Sequence, residues 1–225
     1  LEKSSNMNIN KIDNLCNIQA NSIFFEINRY SNEVRIENDK FIKISEYLKI
    51  KNLNILKNNN YYLQDNEKFY SIVWGCPILE NVENPNKALN IALSNQKDLI
   101  SNIDGQFLIL VINKQTSQIK IISDRFNGIN LFYAMHNGTL ICSSSYFLLA
   151  KRLMDLSIFK WSEEILYDLI RMNRVFGYSS YDELSKFLPP STIFYSDLNN
   201  IDLEFYWKPC FKKKNYKNVS LAVSR

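Results

Sequence analysis

The chain has 225 residues, 46% of them hydrophobic and 13% aromatic, which is enough apolar material for one large packed domain and excludes a disordered polymer. Its 27 basic and 23 acidic side chains leave a net charge of +4 with no arginine stripe interleaved with aromatics, so no nucleic acid is expected as a partner. Only 5 glycines and 1 histidine exclude a glycine-rich phosphate loop and argue against a metal site, and no apolar run reaches the ~20 residues that span a membrane.

The first half reads as strands. Ser22 to Asn28 and Asn32 to Glu37 are β-prone runs between polar residues, and Tyr70 to Trp74 is a third, closed by Gly75. Asn58 to Asn60 reads as a loop. Asn84-Pro85 starts a helix, because proline tolerates the first turn, and Ala88, Leu89, Ala92 and Leu93 continue it at helical spacing. Phe107 to Ile112 is nearly continuous apolar sequence, as in a strand buried on both faces. Gln118 to Ser123 follows. Leu131 to Met135 and Thr139 to Cys142 then flank His136-Asn137-Gly138, and an Asn-Gly pair between two β-prone runs predicts a type I′ hairpin.

Tyr146 to Met154 turns helical. Trp161, Ile165, Leu166, Leu169 and Ile170 mark the apolar face of an amphipathic helix, with Glu163 and Glu164 at its start and Arg171 and Arg174 at its end, as the helix dipole favours. After Pro189-Pro190, Thr192 to Ser196 and Leu203 to Trp207 read as strands around a polar turn. There is no internal repeat. Three units result: residues 1–21 as an extension or tag leading into the first strand, 22–210 as the domain, and 211–225 as a basic linker carrying Lys212 to Lys214.

Little of this is chemistry. The single His136 belongs to a hairpin turn and reads as a solvated turn residue rather than the buried base of a serine–histidine–carboxylate triad. Ser143 to Ser145 lacks a nucleophile elbow and reads as a strand end capping the next helix. Asp182-Glu183 reads as a helix start. Cys16, Cys76, Cys142 and Cys210 form no C-x-x-C pair, and no secretory leader opens the chain, so free thiols in a reducing cytoplasm are expected.

Five segments in order, from Asp104 to Trp207, carry a resemblance. Asp104-Gly105-Gln106-Phe107 resembles D-G-x-F. Asp124 to Ala134 resembles D-R-F-G-x-K-P-L-Y-Y-A, with Asn127 at the glycine's place and Gly128 one position on. Leu140 to Ser145 resembles L-x-F-A-S-E, Leu188-Pro189-Pro190-Ser191 resembles L-P-P-G, and Tyr206-Trp207 the closing Y-W. The pattern is that of the class II glutamine amidotransferase domain of the asparagine synthetase family. It implies an α+β fold, a four-layer αββα sandwich of two antiparallel sheets of the Ntn-hydrolase kind. It also implies a cysteine at the mature N-terminus that attacks the glutamine amide, with its own α-amino group as base.

The catalytic half of the pattern is missing. Neither Leu1 nor Asn8, which follows Met7, is cysteine, and no R-G-P-D precedes Gly75. The family's N-G-E stands as Trp74-Gly75-Cys76, losing an amide whose oxyanion-type contribution is usually worth ~3 kcal/mol. By resemblance Gly75 and Asp104 are the vestigial substrate-binding residues, Asp104 matching the acid that receives the substrate's amino group. No catalytic residue and no metal ligand is expected, unless removal of the first fifteen residues exposes Cys16 as nucleophile.

The resemblance further implies a C-terminal synthetase domain that carries the ATP and Mg, with no cofactor in this chain, which stops where that domain would begin. The leading expectation is a non-catalytic glutaminase-like domain docked beside an adenylating domain that joins a carboxylate to an amine, as in β-lactam synthetase and lasso-peptide cyclases. Its substrate would be a peptide or a small amino-acid-like molecule. The alternatives are a processed glutaminase using Cys16 and a stand-alone module that binds a peptide or protein partner.

Overall fold

A computed structural model describes residues 22–29, 41–44, 48–51, 61–94, 96–175 and 177–210. The predicted strand Asn32 to Glu37, the loop Asn58 to Asn60, Cys16 and the basic linker lie outside these residues.

Two antiparallel sheets form the body. The first contains β1 (Phe24–Arg29), β2 (Phe41–Lys43), β3 (Leu48–Lys51), β9 (Phe132–His136), β10 (Thr139–Ser143) and β11 (Lys186–Phe187), in the order β11-β9-β10-β1-β3-β2. The second contains β4 (Tyr61–Asp65), β5 (Phe69–Leu79), β7 (Asp104–Asn113), β8 (Ile119–Ser123), β12 (Thr192–Ser196) and β13 (Ile201–Phe205). Its order is β13-β12-β8-β7-β5-β4, with the short β6 (Val82–Glu83) paired to β5. Among the described residues four helices accompany them: α1 (Pro85–Leu93), α2 (Lys97–Ile100), α3 (Tyr146–Asp155) and α4 (Glu163–Met172).

The period of two in each strand sorts side chains onto opposite faces and builds the layers. Phe25 and Ile27 of β1, Tyr133 of β9 and Leu140 of β10 meet Tyr70, Ile72 and Trp74 of β5 and Leu108 and Leu110 of β7 in one core between the sheets. Phe107, Ile109 and Val111, from the same β7, point the other way onto Ala88, Leu89 and Ala92 of α1 and Ile100 of α2. The far face of the first sheet packs Ala134 and Ile141 against Leu149 and Leu153 of α3. The order is therefore helix, sheet, sheet, helix, the four-layer αββα sandwich expected. On that outer face Arg152 of α3 grips buried Glu26 of β1, Nε to Oε1 at 2.6 Å and Nη2 to Oε2 at 3.1 Å.

Local chemistry explains the legible elements. The Asn84 side chain accepts the Lys87 N–H and Pro85 occupies the first turn of α1. Asn137 and Gly138 take φ of 47° and 69°, the type I′ turn predicted between β9 and β10.

Other expectations change. β13 runs Ile201–Phe205 rather than Leu203 to Trp207, because the tight turn pairs Ser196 with Ile201. Asp182 starts no helix. Its carboxylate accepts the N–H groups of Leu184 and Ser185 and the Tyr146 hydroxyl, a turn that burial makes obligatory. Ser145 sits at the N-cap of α3 without a capping bond from its side chain. Instead, Ser143 Oγ accepts the Ser145 N–H and Ser144 Oγ accepts the Ile23 N–H. The helix α4 exists, capped by Ser162, but Ile165 is its only buried residue. Among the described residues no helix is long and apolar enough to cross a membrane.

Candidate functional site

Gly75 and Asp104 lie on neighbouring central strands. Gly75 of β5 pairs with Phe107 and Asp104 of β7 with Ile78. The two are three steps apart along the ladder, roughly 10 Å at the usual rise per residue. The strand pair is distorted between them. Gly75 has φ 84° and Gly105 φ 92°, and Pro77, opposite Gly105, has no N–H to give. A Cβ on Gly75 would sit 2.3 Å from the Gln106 carbonyl oxygen, and one on Gly105 2.2 Å from that of Cys76. Glycine is thus required at both places by close backbone approach as well as by φ.

The loop after β8 closes over this crossing. Asp124 is buried, and its carboxylate accepts three backbone N–H groups: Phe126 at 2.8 Å, Gly128 at 2.9 Å and Phe107 at 3.3 Å. One acidic side chain thereby fixes both its own turn and the start of β7. Gly128 lies against the Gln106 side chain, whose Cγ is 2.6 Å from where a Cβ would be. Arg125 reaches across to Asp104, Nη1 to Oδ1 at 2.5 Å, and also donates to the Ser101 carbonyl. Its guanidinium lies 5.6 Å from the centroid of Trp207, whose ring also meets the edge of Phe126, a ring 80% exposed.

Asp104 therefore already holds a cation from its own chain where the resemblance expects it to hold a substrate ammonium. The Arg125 partnership was not visible in the sequence, where Asp124 and Arg125 were motif letters without a role. The Asp-x-Phe-Asn-Gly spacing is a signal for a carboxylate-organised turn.

Trp74 decides the neighbouring position. It stands where the resemblance expects the polarising asparagine, and it is 1% exposed, its ring stacked on Phe25 at 5.8 Å and 6°. Its indole N–H is buried without a partner. The side chain is thus committed to the core between the sheets, and no amide there faces a substrate.

Nucleophiles are equally distant from this chemistry. Cys142 is fully buried and burial pushes its thiol up. Cys76 is half-buried beside the crossing, and Cys210 is exposed. His136 ends β9 at the hairpin. Among the described residues no group of three or more His, Cys, Asp or Glu could hold a metal ion.

No protein-family model and no curated protein matches the chain. Among solved structures, glutamine phosphoribosylpyrophosphate amidotransferase from B. subtilis, complexed with ADP and GMP, superposes with a TM-score of 0.43. The identity is 10%, over 87% of this chain and 46% of that one. A structure described as the allosteric regulatory enzyme of purine biosynthesis gives 0.39 at 10% identity, over 84% of this chain and 44% of that one. The chain thus spans less than half the length of either. At these scores the likeness carries no argument about chemistry.

Proposed function

We propose that the chain is a non-catalytic, glutaminase-like domain of an asparagine-synthetase-like, ATP-dependent amide-bond-forming protein, held beside that protein's adenylating domain. The observation that carries the reading is Trp74. At the place of the polarising amide the chain has an indole locked into the core. Glutamine hydrolysis would there lack the donor that stabilises developing negative charge.

Two backbone positions support the resemblance itself. Asn127 and Ser191 stand where the family patterns have glycine, and they take φ of 57° and 56°. An L-residue in this region is disfavoured by about 1–2 kcal/mol, with Asn tolerated best. The glycine-type backbone thus persists although both glycines are gone. This is easier to understand if the two turns share the family's geometry than if the letters agree by chance.

In this reading ATP and Mg belong to the following domain, where they would activate a carboxylate as an adenylate. An amine already present on a peptide or amino-acid-like substrate then attacks, and no ammonia from glutamine is needed. The exposed Phe126 beside Trp207 suits a face that meets such a neighbour. The test is glutamate release from glutamine by the full chain. None above the blank is expected, for the wild type and for Cys16→Ala alike. Release that requires Cys16 would overturn the non-catalytic reading in favour of the processed glutaminase.

A further inference from the structure

A groove of about 770 Å³ opens on the outer side of the first sheet, and none of its lining residues belongs to the Gly75–Asp104 crossing. Five aromatic rings wall it: Phe132 of β9, Tyr146 and Phe147 at the start of α3, Trp161 and Tyr181. Leu166 and Leu169 of α4 complete the apolar lining. Ser22, Ser144 and Ser145 add hydroxyl groups, and among the described residues no charged side chain lines the groove. Small-molecule sites are concavities of roughly 300–1,000 Å³ with this make-up, apolar and aromatic walls holding a few polar groups. The walls are fixed from behind. The buried Asp182 carboxylate accepts the Tyr146 hydroxyl at 2.9 Å, and the Asp182 backbone bridges to that of Trp161. Tyr181 meets Tyr146 edge-on with centroids 5.0 Å apart, and Phe159 meets Trp161 at 4.9 Å and 85°. Rings already ordered in this way lower the cost of binding.

The lining defines the ligand. Ring faces and edges favour a planar aromatic body, which stacks on them, over a saturated one. A charge would enter without a counter-charge and lose its hydration. Ser144 Oγ already accepts the Ile23 N–H at 2.8 Å, which leaves its own O–H proton for an acceptor such as a carbonyl oxygen. We propose that this groove binds a small, uncharged, planar aromatic molecule that carries a hydrogen-bond acceptor at one end, with the acceptor against Ser144. The site uses no residue of the crossing, so it stands or falls independently of the glutaminase reading.

The test is equilibrium dialysis of the full chain against four probes. Indole-3-carboxamide has the full chemistry, indole lacks the acceptor, indole-3-carboxylate is charged, and cyclohexanecarboxamide is saturated. Indole-3-carboxamide is expected to saturate one site with a dissociation constant on the order of 1 mM or below, and the others to bind several-fold more weakly. Trp161→Ala removes an exposed ring and keeps the fold, which circular dichroism verifies, and it is expected to weaken that binding roughly fivefold. Ser144→Ala is expected to abolish the preference for the carboxamide over indole while indole itself binds as before, a readout that loss of structure would not give. No saturable binding of indole-3-carboxamide, or binding indifferent to Trp161→Ala, overturns the proposal. So does a tighter fit of the carboxylate or of cyclohexanecarboxamide, or a preference for the carboxamide that survives Ser144→Ala.

Discussion

Gly75→Ala measures how tightly the β5–β7 crossing is closed. The substitution has two costs. The first is backbone strain, since φ is 84° and an alanine there is disfavoured by about 1–2 kcal/mol. The second is overlap, since the new Cβ would lie 2.3 Å from the Gln106 carbonyl oxygen and 2.9 Å from Ile129 Cδ1. The first obstacle is backbone in a central ladder and cannot swing away, so overpacking adds about 1–3 kcal/mol. Together they predict about 2–5 kcal/mol of destabilisation. Gly177→Ala separates the two costs, because Gly177 has a similar φ of 71° and nothing within 4 Å of its would-be Cβ. It should lose only the strain. Urea denaturation followed by Trp fluorescence reads both variants on one scale. For a chain of this size the Gly75→Ala loss corresponds to a fall in Tm of roughly 4–20 °C. If Gly75→Ala costs no more than Gly177→Ala, the crossing is open enough to admit a side chain and the close-packed description of the site is wrong.

Three other perturbations have definite signs. Asp124→Asn replaces one acceptor oxygen with an amide nitrogen facing buried N–H groups, and should destabilise by about 2–4 kcal/mol by denaturant midpoint. Arg152→Met removes the bidentate cation from buried Glu26 and should cost about 3 kcal/mol, whereas Arg152→Met combined with Glu26→Leu should recover much of it. Lys120 donates to the Ala92 carbonyl at 2.7 Å, and burial lowers its pKa to about 8 from 10.5. The unfolded chain therefore binds more protons than the native one between these values, so this group's contribution makes stability rise as pH climbs from 8 towards 10.5. Denaturation of wild type and Lys120→Met at pH 7, 8, 9 and 10 should show the wild type gaining on the variant over that window, and a constant difference would contradict the burial argument.

What the sequence shows about this fold follows from how local each signal is. The Asn137-Gly138 hairpin, the Asn84-Pro85 start of α1 and the doubly buried β7 are legible because their causes lie within a few residues. β4 is not, since Tyr61–Asp65 is an edge strand with alternating exposure and no apolar run. The four-residue α2 is too short for periodicity to register. β5 extends past its predicted end at Trp74 to Leu79, because the glycines at 75 and 105 let two irregular strands stay paired. For α4 periodicity gives the helix, but it groups Ile165 with Ile170 on one face, whereas Ile165 is buried and Ile170 is 85% exposed. The site follows the same rule. The resemblance points to Gly75 and Asp104, but the Arg125 ion pair joins residues far apart in sequence and forms only once β7 and the loop after β8 are folded together. The fate of Trp74 depends likewise on Phe25 in the other sheet.

The central claim is that glutaminase chemistry is absent, and a diazoketone analogue of glutamine tests it directly. Such a compound alkylates an amidotransferase nucleophile only when that nucleophile, its base and the substrate grip are assembled together. The full chain would be incubated with the analogue and weighed intact by mass spectrometry. The prediction is an unchanged mass, with Cys76, Cys142 and Cys210 unlabelled at stoichiometric reagent. A single adduct, abolished by excess glutamine and mapping to Cys16, would contradict the account.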